Sequence, residues 1–395
     1  MRRLLAPLLL LTLAACSQVP SENVSHKFAP TAFGPGIATS LAKHSSGVYV
    51  AGNIYVDNVP YLSDSAFIRK YDTNGAVLWS KRFSVQNYTG AVGVASDGKG
   101  NAYVVGETRS SPYDNLFLRK YTPAGKAAWT RQISRTYYSH QAGDVAVYGD
   151  SVYVVWLAYK DSGDPEGGIG IWDIYGYLRK YDKSGNIVWT RRIGTSDPFP
   201  DIDAPRDVAI DGSGNVYVAG STYGSLSGSN GGGDDMFIRK YSPTGKVLWT
   251  RQHHYSSLDS AEYVAVSGKN VYLVGSFFKD DNWDAGRRMR IIKYKTDGSV
   301  AWNKDYGSYG VHPQATDADA DSKGNLYVTG TVYISGTGHK SVIKLSPSGS
   351  YVWKRLFDTF TPNAVLPRTD SQVYVGGPGL LHLRGSDGKI VWADR

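Results

Sequence analysis

A short phrase that ends in tryptophan recurs seven times along the chain, and it constrains the fold more than any other feature. The phrase is clearest in RKYDTNGAVLWSKR (69–82), RKYDKSGNIVWTRR (179–192) and RKYSPTGKVLWTRQ (239–252). Its seven tryptophans are Trp79, Trp129, Trp189, Trp249, Trp302, Trp353 and Trp392. A repeat of roughly fifty residues indicates similar units that stack and bury a shared core.

Each unit has the pattern of four short β-strands, which we name a to d. A phrase such as SGNVYVAG (213–220) precedes each tryptophan phrase, and a phrase such as DVAID (207–211) lies just before that one. β-Branched and aromatic residues bounded by Gly, Asn, Asp or Ser are typical of strands and tight turns. Such a four-stranded unit is the size of one propeller blade and cannot bury both of its faces alone. The sequence therefore predicts an all-β, seven-bladed β-propeller with four antiparallel strands per blade.

Composition narrows the class of protein further. The 45 Gly and 17 Pro argue against a helical protein, and 29 Tyr with 10 Trp exclude a disordered chain. A single Cys excludes a disulfide framework and a Cys-based zinc site. Motifs for phosphate binding, metalloproteases and serine hydrolases are absent from the sequence. We therefore expect no cofactor and no metal site.

The triplet Asp317, Asp319 and Asp321 invites a calcium interpretation. Alternate residues of an extended strand are about 6.6 Å apart, so three such carboxylates cannot converge on one ion. We interpret them as structural or channel-lining residues.

The N-terminus has the pattern of a bacterial lipoprotein signal. Arg2 and Arg3 precede an apolar stretch from Leu4 to Leu13, and the sequence Leu-Ala-Ala-Cys then ends at Cys16. The apolar stretch is too short for a membrane anchor and has the length of a signal-peptide core. Because the only Cys stands at the cleavage position, we expect it to be lipidated, which gives stable anchoring. An ordinary secretory signal with an incidental Cys is the alternative.

This pattern sets the predicted domain organisation. Residues 1–15 form the lipoprotein signal peptide, residues 16–35 a flexible tether from the lipidated Cys16, and residues 36–395 the seven-bladed propeller. Ser17 rather than Asp follows the Cys, which favours the outer membrane or cell surface over the inner membrane. The predicted location is therefore the cell envelope of a bacterium, with a lipid anchor in one of its membranes.

The phrases resemble the bacterial β-propeller repeat family. DVAIDGSGNVYVAG (207–220) and FIRKYSPTGKVLW (237–249) carry the resemblance, whereas LLHLRGSDGKIVW (380–392) is closer to quinoprotein repeats. The resemblance implies a propeller in an envelope or extracellular setting, and it supplies no catalytic residues. Seven complete units place the first strand a near 40–43 and the last strand d at 390–392. We therefore expect side-chain packing to close the ring, without a strand borrowed from the other terminus.

Connection lengths distinguish two ends of the predicted ring. The end of strand c and the tryptophan of strand d are nine residues apart in every unit, from Lys70–Trp79 to Leu383–Trp392, whereas the b–c connections vary from 2 to 20 residues. In a meander the a–b and c–d turns share one end, the framework face, and the b–c and d–a connections share the other, the loop face. Variable loops on a rigid scaffold are where binding residues concentrate.

Charge is also unevenly distributed between these parts. The loop-face connections hold 20 acidic and eight basic residues, a balance of −12, whereas the remainder holds 35 bases and 15 acids, a balance of +20. Because the framework bases spread around the whole ring rather than forming one stripe, we expect no nucleic-acid binding. We expect Arg131, Arg191 and Arg251 to stack on the tryptophan two positions before each.

Aromatic residues beside carboxylates on the loop face suit a glycan or a cationic protein segment. Trp156, at the end of a strand b, joins these loop aromatics in the sequence interpretation. The candidate ligand-binding residues are Trp172, Asp173, Tyr175, Trp283, Asp280, Asp281, Asp284, Tyr137, Tyr138, His140, His253, His254 and Tyr255.

Three functions follow in order of preference. The first is a monomeric, lipid-anchored binding module of the cell envelope, with a glycan or an envelope protein as its ligand. The second is a non-enzymatic scaffold in envelope or outer-membrane assembly. A hydrolase or lyase is third, because propellers also host enzymes and the fold alone does not exclude catalysis.

Overall fold

The computed structural model describes most of the chain from Gly36 onwards. The described residues are 36–55, 63–86, 88–110, 113–133, 139–161, 172–194, 202–228, 230–256, 258–278, 287–306, 314–334 and 337–394. The predicted signal peptide and tether lie outside these ranges.

The described residues form 28 β-strands in seven four-stranded sheets, each of which is one blade. Blades 1 and 2 contain β1 (Gly36–His44), β2 (Gly47–Tyr55), β3 (Ser63–Tyr71), β4 (Val77–Phe83), β5 (Thr89–Ser96), β6 (Ala102–Ser110), β7 (Tyr113–Tyr121) and β8 (Ala127–Gln132). Blades 3 and 4 contain β9 (Ser139–Tyr148), β10 (Ser151–Asp161), β11 (Trp172–Asp182), β12 (Ile187–Ile193), β13 (Asp203–Ile210), β14 (Val216–Thr222), β15 (Asp235–Tyr241) and β16 (Val247–His253). Blades 5 and 6 contain β17 (Ser260–Ser267), β18 (Asn270–Phe278), β19 (Arg287–Tyr294), β20 (Val300–Tyr306), β21 (Gln314–Ala320), β22 (Leu326–Ile334), β23 (Thr337–Leu345) and β24 (Tyr351–Phe357). Blade 7 contains β25 (Ala364–Thr369), β26 (Gln372–Gly376), β27 (Leu380–Arg384) and β28 (Ile390–Ala393).

Every blade is an antiparallel meander of four consecutive strands. The seven strands a contact one another in a ring, from β1 through β5, β9, β13, β17 and β21 to β25 and back to β1. Strand a is therefore innermost and strand d outermost in each blade. The predicted all-β, seven-bladed propeller with four antiparallel strands per blade is confirmed.

The hydrophobic core lies between neighbouring blades rather than inside any one of them. Among the described residues there are seven buried clusters, and each joins two adjacent blades. The tyrosine of each V-Y-V phrase is at most 1% exposed, as in Tyr103, Tyr217 and Tyr327. Its hydroxyl donates to the aspartate of the a–b turn in these three cases, at 3.0 to 3.2 Å. The repeat phrase thus encodes contacts between blades.

The tryptophan phrase locks each blade to the next one. The indole of Trp189 packs on Gly245 in the c–d turn of the following blade, and its Nε1–H donates to the carbonyl of Pro243 at 3.4 Å. Gly245 has φ +79°, and a Cβ there would lie 3.0 Å from the indole, so glycine suits both the backbone conformation and the close packing. The same packing pairs a turn glycine with the tryptophan of the preceding blade at all seven interfaces: Gly75–Trp392, Gly125–Trp79, Gly185–Trp129, Gly245–Trp189, Gly298–Trp249, Gly349–Trp302 and Gly388–Trp353.

In blades 1 to 6, a lysine near the end of strand c takes part in the same contact. Lys180 lies 5.4 Å from the ring centre of Tyr153 and donates to the carbonyl of Pro243, the acceptor that Trp189 also uses. Six blades place a lysine in this way, at 5.0 to 5.5 Å from the ring: Lys70, Lys120, Lys180, Lys240, Lys293 and Lys344. The expected stacking of Arg131, Arg191 and Arg251 on their tryptophans is confirmed, at 5.2 to 5.5 Å.

Blade 7 departs from the constant spacing that the sequence indicated. In blades 1 to 6 the strand c lysine pairs with the tryptophan nine residues later, as Lys70 does with Trp79. In blade 7 the partner of Trp392 is His382 rather than Leu383, because the c–d turn is one residue longer. The constant spacing of nine residues therefore does not correspond to the same strand pairing in blade 7. The imidazole of His382 stacks on Tyr374 at 5.0 Å, in the place that lysine takes elsewhere.

The ring closes between blades 1 and 7, each of which uses only its own four consecutive strands. A buried cluster joins the two blades, and Arg69 forms a 3.2 Å ion pair with Asp394 that is 7% and 12% exposed at its two side chains. One main-chain hydrogen bond also crosses the seam, from the amide of Ala38 to the carbonyl of Gly377 at 2.8 Å. The closure without a borrowed strand is confirmed. Side-chain packing is supplemented by this backbone bond.

Candidate functional site

A cavity of about 930 Å³ runs along the axis of the ring, lined by all seven strands a. Each strand a runs from the loop face towards the framework face, since the a–b turns lie at the framework end. Strands β1, β5, β9, β13, β17 and β21 carry a bulge near the loop-face half of the cavity, for example between Pro205 and Asp207. We call this cavity the channel.

Five carboxyl groups line the channel: Asp144, Asp207, Glu262, Asp317 and Asp319. Two basic residues, Lys43 and Arg206, also line it, and both are exposed. The acids are half-buried and outnumber the bases by three. The channel at the centre of the ring therefore has an acidic lining.

Two of these aspartates connect neighbouring blades. Asp207 Oδ2 accepts a hydrogen bond from the amide of Val264 in the next strand a at 2.7 Å, and Asp317 Oδ2 accepts one from the amide of Val365 at 2.7 Å. In blade 1 the hydroxyl oxygen of Ser40 accepts the corresponding amide of Val94 at 3.0 Å. One function of the first residue in the D-V-A phrase is thus structural.

The channel raises the pKa of its carboxyl groups. Burial is the largest cause in each case, because the narrow, protein-lined cavity removes water that would solvate the charged form. It raises the pKa of Asp317 to about 8, of Glu262 to about 7 and of Asp319 to about 6. These three groups consequently titrate across the neutral range.

Asp144 and Asp207 form a hydrogen-bonded carboxyl pair across two blades. Burial raises the pKa of both groups, and the negative charge of Asp207 raises the pKa of Asp144 further. Two carboxyl groups this close to each other disfavour a state in which both are ionised. The channel thus holds negative charge and bound protons that a cation could displace.

At the loop face between blades 4 and 5, the predicted residue His254 lies beside two aspartates that were not among the candidates. His254 Nδ1 lies 2.9 Å from Asp235 Oδ1, and donor atoms of His254, Asp235 and Asp259 all lie within 4.8 Å of one another. Asp235 and Asp259 are fully buried, whereas His254 is exposed. Both carboxylates organise the loops: Asp235 accepts from Gln252 at 2.7 Å, and Asp259 accepts from the hydroxyl of Ser256 at 2.6 Å. These bonds account for the burial of the two acids.

His253 and Tyr255 are packed into the interface between blades 4 and 5. His253 Nε2 lies 2.5 Å from the hydroxyl of Tyr294, and burial lowers the pKa of His253 to about 4, with Arg290 and Arg251 lowering it further. The guanidinium of Arg290 stands 3.7 Å from the ring centre of Tyr255. Of the three neighbouring candidates, His254 is thus the one that presents its ring to solvent.

The remaining candidates are dispersed. His140 is 4% exposed and lies 3.3 Å from the carbonyl of Asp114, and Tyr175 lies 4.3 Å from the guanidinium of Arg192. Trp172 and Asp173 begin β11, and the structure does not describe their side chains. Tyr137, Tyr138, Asp280, Asp281, Trp283 and Asp284 lie outside the described residues.

Trp156 is misplaced in the sequence interpretation. Its indole is 3% exposed, stacks on Tyr177 at 5.1 Å and lies beneath the guanidinium of Arg179 at 4.8 Å. It is a core residue between blades 2 and 3 rather than a loop aromatic.

Of the three aspartates that the sequence predicted to be structural or channel-lining, Asp317 and Asp319 line the channel and Asp321 organises the a–b turn of blade 6. The other channel carboxylates, Asp144, Asp207 and Glu262, were not among the candidates from sequence. Asp144 and Asp207 recur at one register of the D-V-A phrase, and that recurrence was the available signal. The signal was not usable, because the alternation of residues along strand a does not by itself indicate which side chains face an axial cavity.

A second cavity of about 230 Å³ opens beside the channel between blades 3, 4 and 5. Its lining includes Arg206, which also lines the channel, together with Tyr159, Asp234, Asp259 and Arg287. Arg206 therefore lies where the two cavities meet. In the part of the chain that the structure describes, we find no helix long and apolar enough to cross a membrane.

Comparison with known proteins agrees with this architecture. Residues 78–114 and 188–226 match the model of the Beta-propeller repeat family (SBBP), and residues 234–395 match the family model described as Outer membrane protein assembly factor BamB. A search of curated proteins finds no relative of the chain.

Solved structures share the fold at low sequence identity. Hydrazine synthase of Kuenenia stuttgartiensis is similar with a TM-score of 0.56 and 14% identity, over 91% of this chain and 98% of that one. The periplasmic gluconolactonase PpgL of Pseudomonas aeruginosa is similar with a TM-score of 0.54 and 12% identity, over 87% of this chain and 94% of that one. At these identities the likeness shows the fold alone. The repeat matches and the seven closed blades support the predicted resemblance to bacterial β-propeller repeat proteins.

Proposed function

We propose that the protein is a lipid-anchored binding module of the bacterial cell envelope that binds a cationic ligand at its loop face, with the channel as the central subsite. The observation that carries the proposal is the distribution of charge. Five carboxyl groups line the channel against two bases, whereas the strand c lysines are engaged in contacts between blades.

A cationic group suits the channel because its carboxyl groups lack enough bases to neutralise them. Buried or half-buried charges are stable when an opposite charge pairs with them. Arg206 at the channel mouth influences Glu262, and Lys43 influences Asp319. Among the described residues, no basic side chain measurably shifts the pKa of either Asp144 or Asp207. An ammonium or guanidinium side chain of a ligand would supply that charge.

The N-terminal pattern supports the membrane part of this proposal. The Leu-Ala-Ala-Cys sequence places the only Cys of the chain at position 16. Lipidation there would hold the propeller at a membrane by a tether of about twenty residues. Mass spectrometry of the N-terminal peptide tests this part directly, since diacylglycerol at Cys16 adds a defined mass that Cys16→Ala cannot carry.

Isothermal titration calorimetry with a pentalysine peptide tests whether the ligand is cationic. The affinity should rise between pH 6 and pH 8, because the raised pKa values of Glu262, Asp317 and Asp319 mean that these carboxyl groups become ionised over this range. The affinity should fall with added salt, since salt screens charges beyond about 8 Å at physiological ionic strength.

Variants locate the peptide. Asp207→Asn with Asp317→Asn keeps the acceptors for the Val264 and Val365 amides and should weaken binding by about tenfold or more, equivalent to about 1.4 kcal/mol. The matched control is Asp150→Asn on the framework face, where the carboxylate is exposed and pairs with Lys99 and Lys183. Equal weakening by both changes would contradict the channel as the binding site. Salt-independent binding of an envelope glycan instead would favour the glycan over the cationic ligand.

A scaffold function in outer-membrane assembly is the second candidate. The match of residues 234–395 to the model described as Outer membrane protein assembly factor BamB favours it. In-cell crosslinking from the loop face and from the outer strands would distinguish the two. Crosslinking of an outer-membrane assembly component to the outer strands, together with pentalysine binding that the channel variants do not weaken, would favour the scaffold function.

A further inference from the structure

Exposed apolar side chains are concentrated at one register of the propeller. Of the 13 large apolar residues that are exposed among the described residues, 10 lie directly before the strand d tryptophans. We call these ten residues the apolar rim: Val77, Leu78, Ile187, Val188, Val247, Leu248, Val300, Tyr351, Val352 and Val391. They are 44 to 58% exposed.

The rim lies in one plane at the framework end of the molecule. Each rim residue follows a c–d turn and begins or nearly begins an outermost strand, as Val247 and Leu248 do in β16. Because the blades repeat around one axis, residues of equal register form a ring perpendicular to that axis. Six of the seven blades contribute, whereas blade 2 has the smaller Ala127 and Ala128 there.

Strand preference alone does not account for the rim. Val and Ile are favoured in strands generally, and a single exposed apolar residue on a surface is ordinary. Further along the same outer strands the exposed positions are polar, as at Lys81 and Arg82 of β4. Apolar exposure is thus confined to the framework end of each strand, which is the signature of an interaction surface.

The wall above the rim is cationic. The seven outermost strands contain nine basic residues and one acidic residue, Asp305. Arg131, Arg191 and Arg251 each donate to a main-chain carbonyl of the next blade. A neutral carbonyl does not cancel the charge of a guanidinium, so the outer wall keeps its positive charge.

We infer that the framework face rests on an anionic lipid surface, with the apolar rim at the level of the lipid headgroups. In an anionic membrane the negatively charged headgroups lie above an apolar interior. The apolar rim, with cationic side chains above it, has the matching order along the axis of the propeller. The opposite end of the molecule carries the acidic loop face and would be repelled by the same lipids. The inference rests on the lipid anchor in the proposed function, and it orients the channel mouth towards solvent.

The chain is long enough for this orientation. Gly36 begins β1 at the loop-face end, so the tether must pass along the height of the ring to reach the membrane. A strand of nine residues spans about 30 Å, and the twenty residues from Cys16 to Gly36 span at most about 70 Å.

A lipid surface fits the rim better than a protein partner does. The rim residues are spread over six of the seven blades, as pairs in blades 1, 3, 4 and 6 and singly in blades 5 and 7, rather than gathered in one patch. A planar bilayer contacts all of them at once, and the small contributions of the residues add. A protein docked at one side would cover only the rim residues of neighbouring blades.

Site-specific fluorescence on the full-length, acylated protein tests the orientation. Leu248→Cys in the rim and Tyr223→Cys in the b–c connection of blade 4 are matched, since both side chains are exposed, at 48% and 39%. Each is labelled with a polarity-sensitive dye and placed in phosphatidylcholine vesicles that contain phosphatidylglycerol and a headgroup-attached nitroxide. Acylated Cys16 does not react, and mass spectrometry of the N-terminal peptide verifies the anchor separately.

The rim label should shift to shorter wavelength and be quenched by the nitroxide, whereas the label at position 223 should not change. Both effects should weaken in pure phosphatidylcholine and at high salt. A third label at Ile187→Cys reports on the remainder of the rim when Val247→Ser and Leu248→Ser are introduced together, and its quenching should decrease by at least twofold. Tyr223→Ser is the control for that pair and should leave the quenching unchanged.

Equal quenching at positions 248 and 223, or quenching at 223 alone, in protein with a verified anchor would overturn the inference. Such a result would leave the anchor established, and the pentalysine experiment would still decide the ligand. A rim label that is shielded only after a second protein is added would assign the rim to that protein and also overturn the inference.

Discussion

The framework face and the loop face of the propeller show how one repeat can be both constrained and variable. At the framework face the tryptophan, the turn glycine and the lysine of adjacent blades contact one another, and this arrangement recurs around the ring. At the loop face each blade has its own hydrogen bonds, such as those around Asp235 and Asp259 between blades 4 and 5. The repeated, stabilising contacts are thus concentrated at the framework face, whereas the contacts that differ from blade to blade are at the loop face. The difference predicts that substitutions at the two faces have effects of different size.

The largest expected effect is at the framework face. Trp249→Ala removes the packing of the indole on Gly298, its contacts with Tyr217 and Tyr294, and the 3.1 Å hydrogen bond to the carbonyl of Thr296. We expect the free energy of unfolding to fall by about 4 kcal/mol, because the partly buried indole loses its packing against the core cluster between blades 4 and 5 as well as its hydrogen bond. Chemical denaturation measures the change.

Tyr223→Ala at the loop face is the matched comparison. This side chain is 39% exposed, so its loss should change the free energy of unfolding by about 0.5 kcal/mol or less. Similar losses at both positions would break the distinction between the faces.

A second prediction concerns the seam between blades 1 and 7. Asp394 accepts hydrogen bonds from Arg69 at 3.2 Å and from the hydroxyl of Tyr71 at 2.5 Å. Asp394→Asn leaves the buried guanidinium of Arg69 without its counter-charge, which should cost about 3 kcal/mol. Asp387→Asn is the control, because its ion pair with Arg384 is exposed and should contribute about 0.5 kcal/mol. An equal, small effect of both changes in denaturant titrations would argue against the seam as a specific closure.

A third prediction uses the channel. The pKa of Asp317 is raised to about 8 in the folded protein, so the native state holds a proton that the unfolded chain releases at a lower pH. The native state therefore binds more protons than the unfolded state between about pH 4 and pH 8, and its stability falls as pH rises through this window. The slope for one such group is at most about 1.4 kcal/mol per pH unit. Asp317→Asn should reduce the slope, and thermal melts from pH 5 to pH 9 would show it. A steeper fall in the variant would contradict the assignment.

The fold could be predicted from the sequence because its signal is repeated. Seven tryptophan phrases and seven V-Y-V phrases place the strands, and the phase of the repeat predicts that both terminal blades are complete. The physical reason is that every blade interface needs the same contacts, so the pattern appears once per blade. The resemblance to the bacterial β-propeller repeat family predicts the same fold.

The candidate site was less accessible to sequence reasoning. A bulge in strand a shifts the alternation between residues that face the channel and residues that face a neighbouring blade, as at Asp207. The contacts of the strand c lysines could not be predicted from the sequence, because the carbonyl that accepts from Lys180 lies 63 residues further along the chain. The longer c–d turn of blade 7 was not visible in the sequence, because Leu383 and Trp392 are also nine residues apart although they do not pair.

The smallest expected effect tests whether the framework contact is a transferable unit. In blade 7, His382 takes the place of lysine, and burial together with Arg368 lowers the pKa of its imidazole, which is therefore neutral at pH 7. Within the described part of the chain neither ring nitrogen of His382 has a hydrogen-bond partner, and both nitrogens are buried. His382→Lys would place an ammonium over Tyr374 and near the carbonyl of Thr73, the counterpart in blade 1 of the carbonyl that Lys180 uses at Pro243.

We expect His382→Lys to raise the free energy of unfolding by about 0.5 to 1 kcal/mol, since a cation–π contact and a hydrogen bond replace two unsatisfied nitrogens. His382→Met separates the causes, because methionine removes the unsatisfied nitrogens without supplying a donor. A larger gain for lysine than for methionine in parallel urea titrations would show that the contact works in any blade. Equal gains would mean that relief of the buried imidazole is the whole effect, and that the lysine contact depends on the shorter turn of the other six blades.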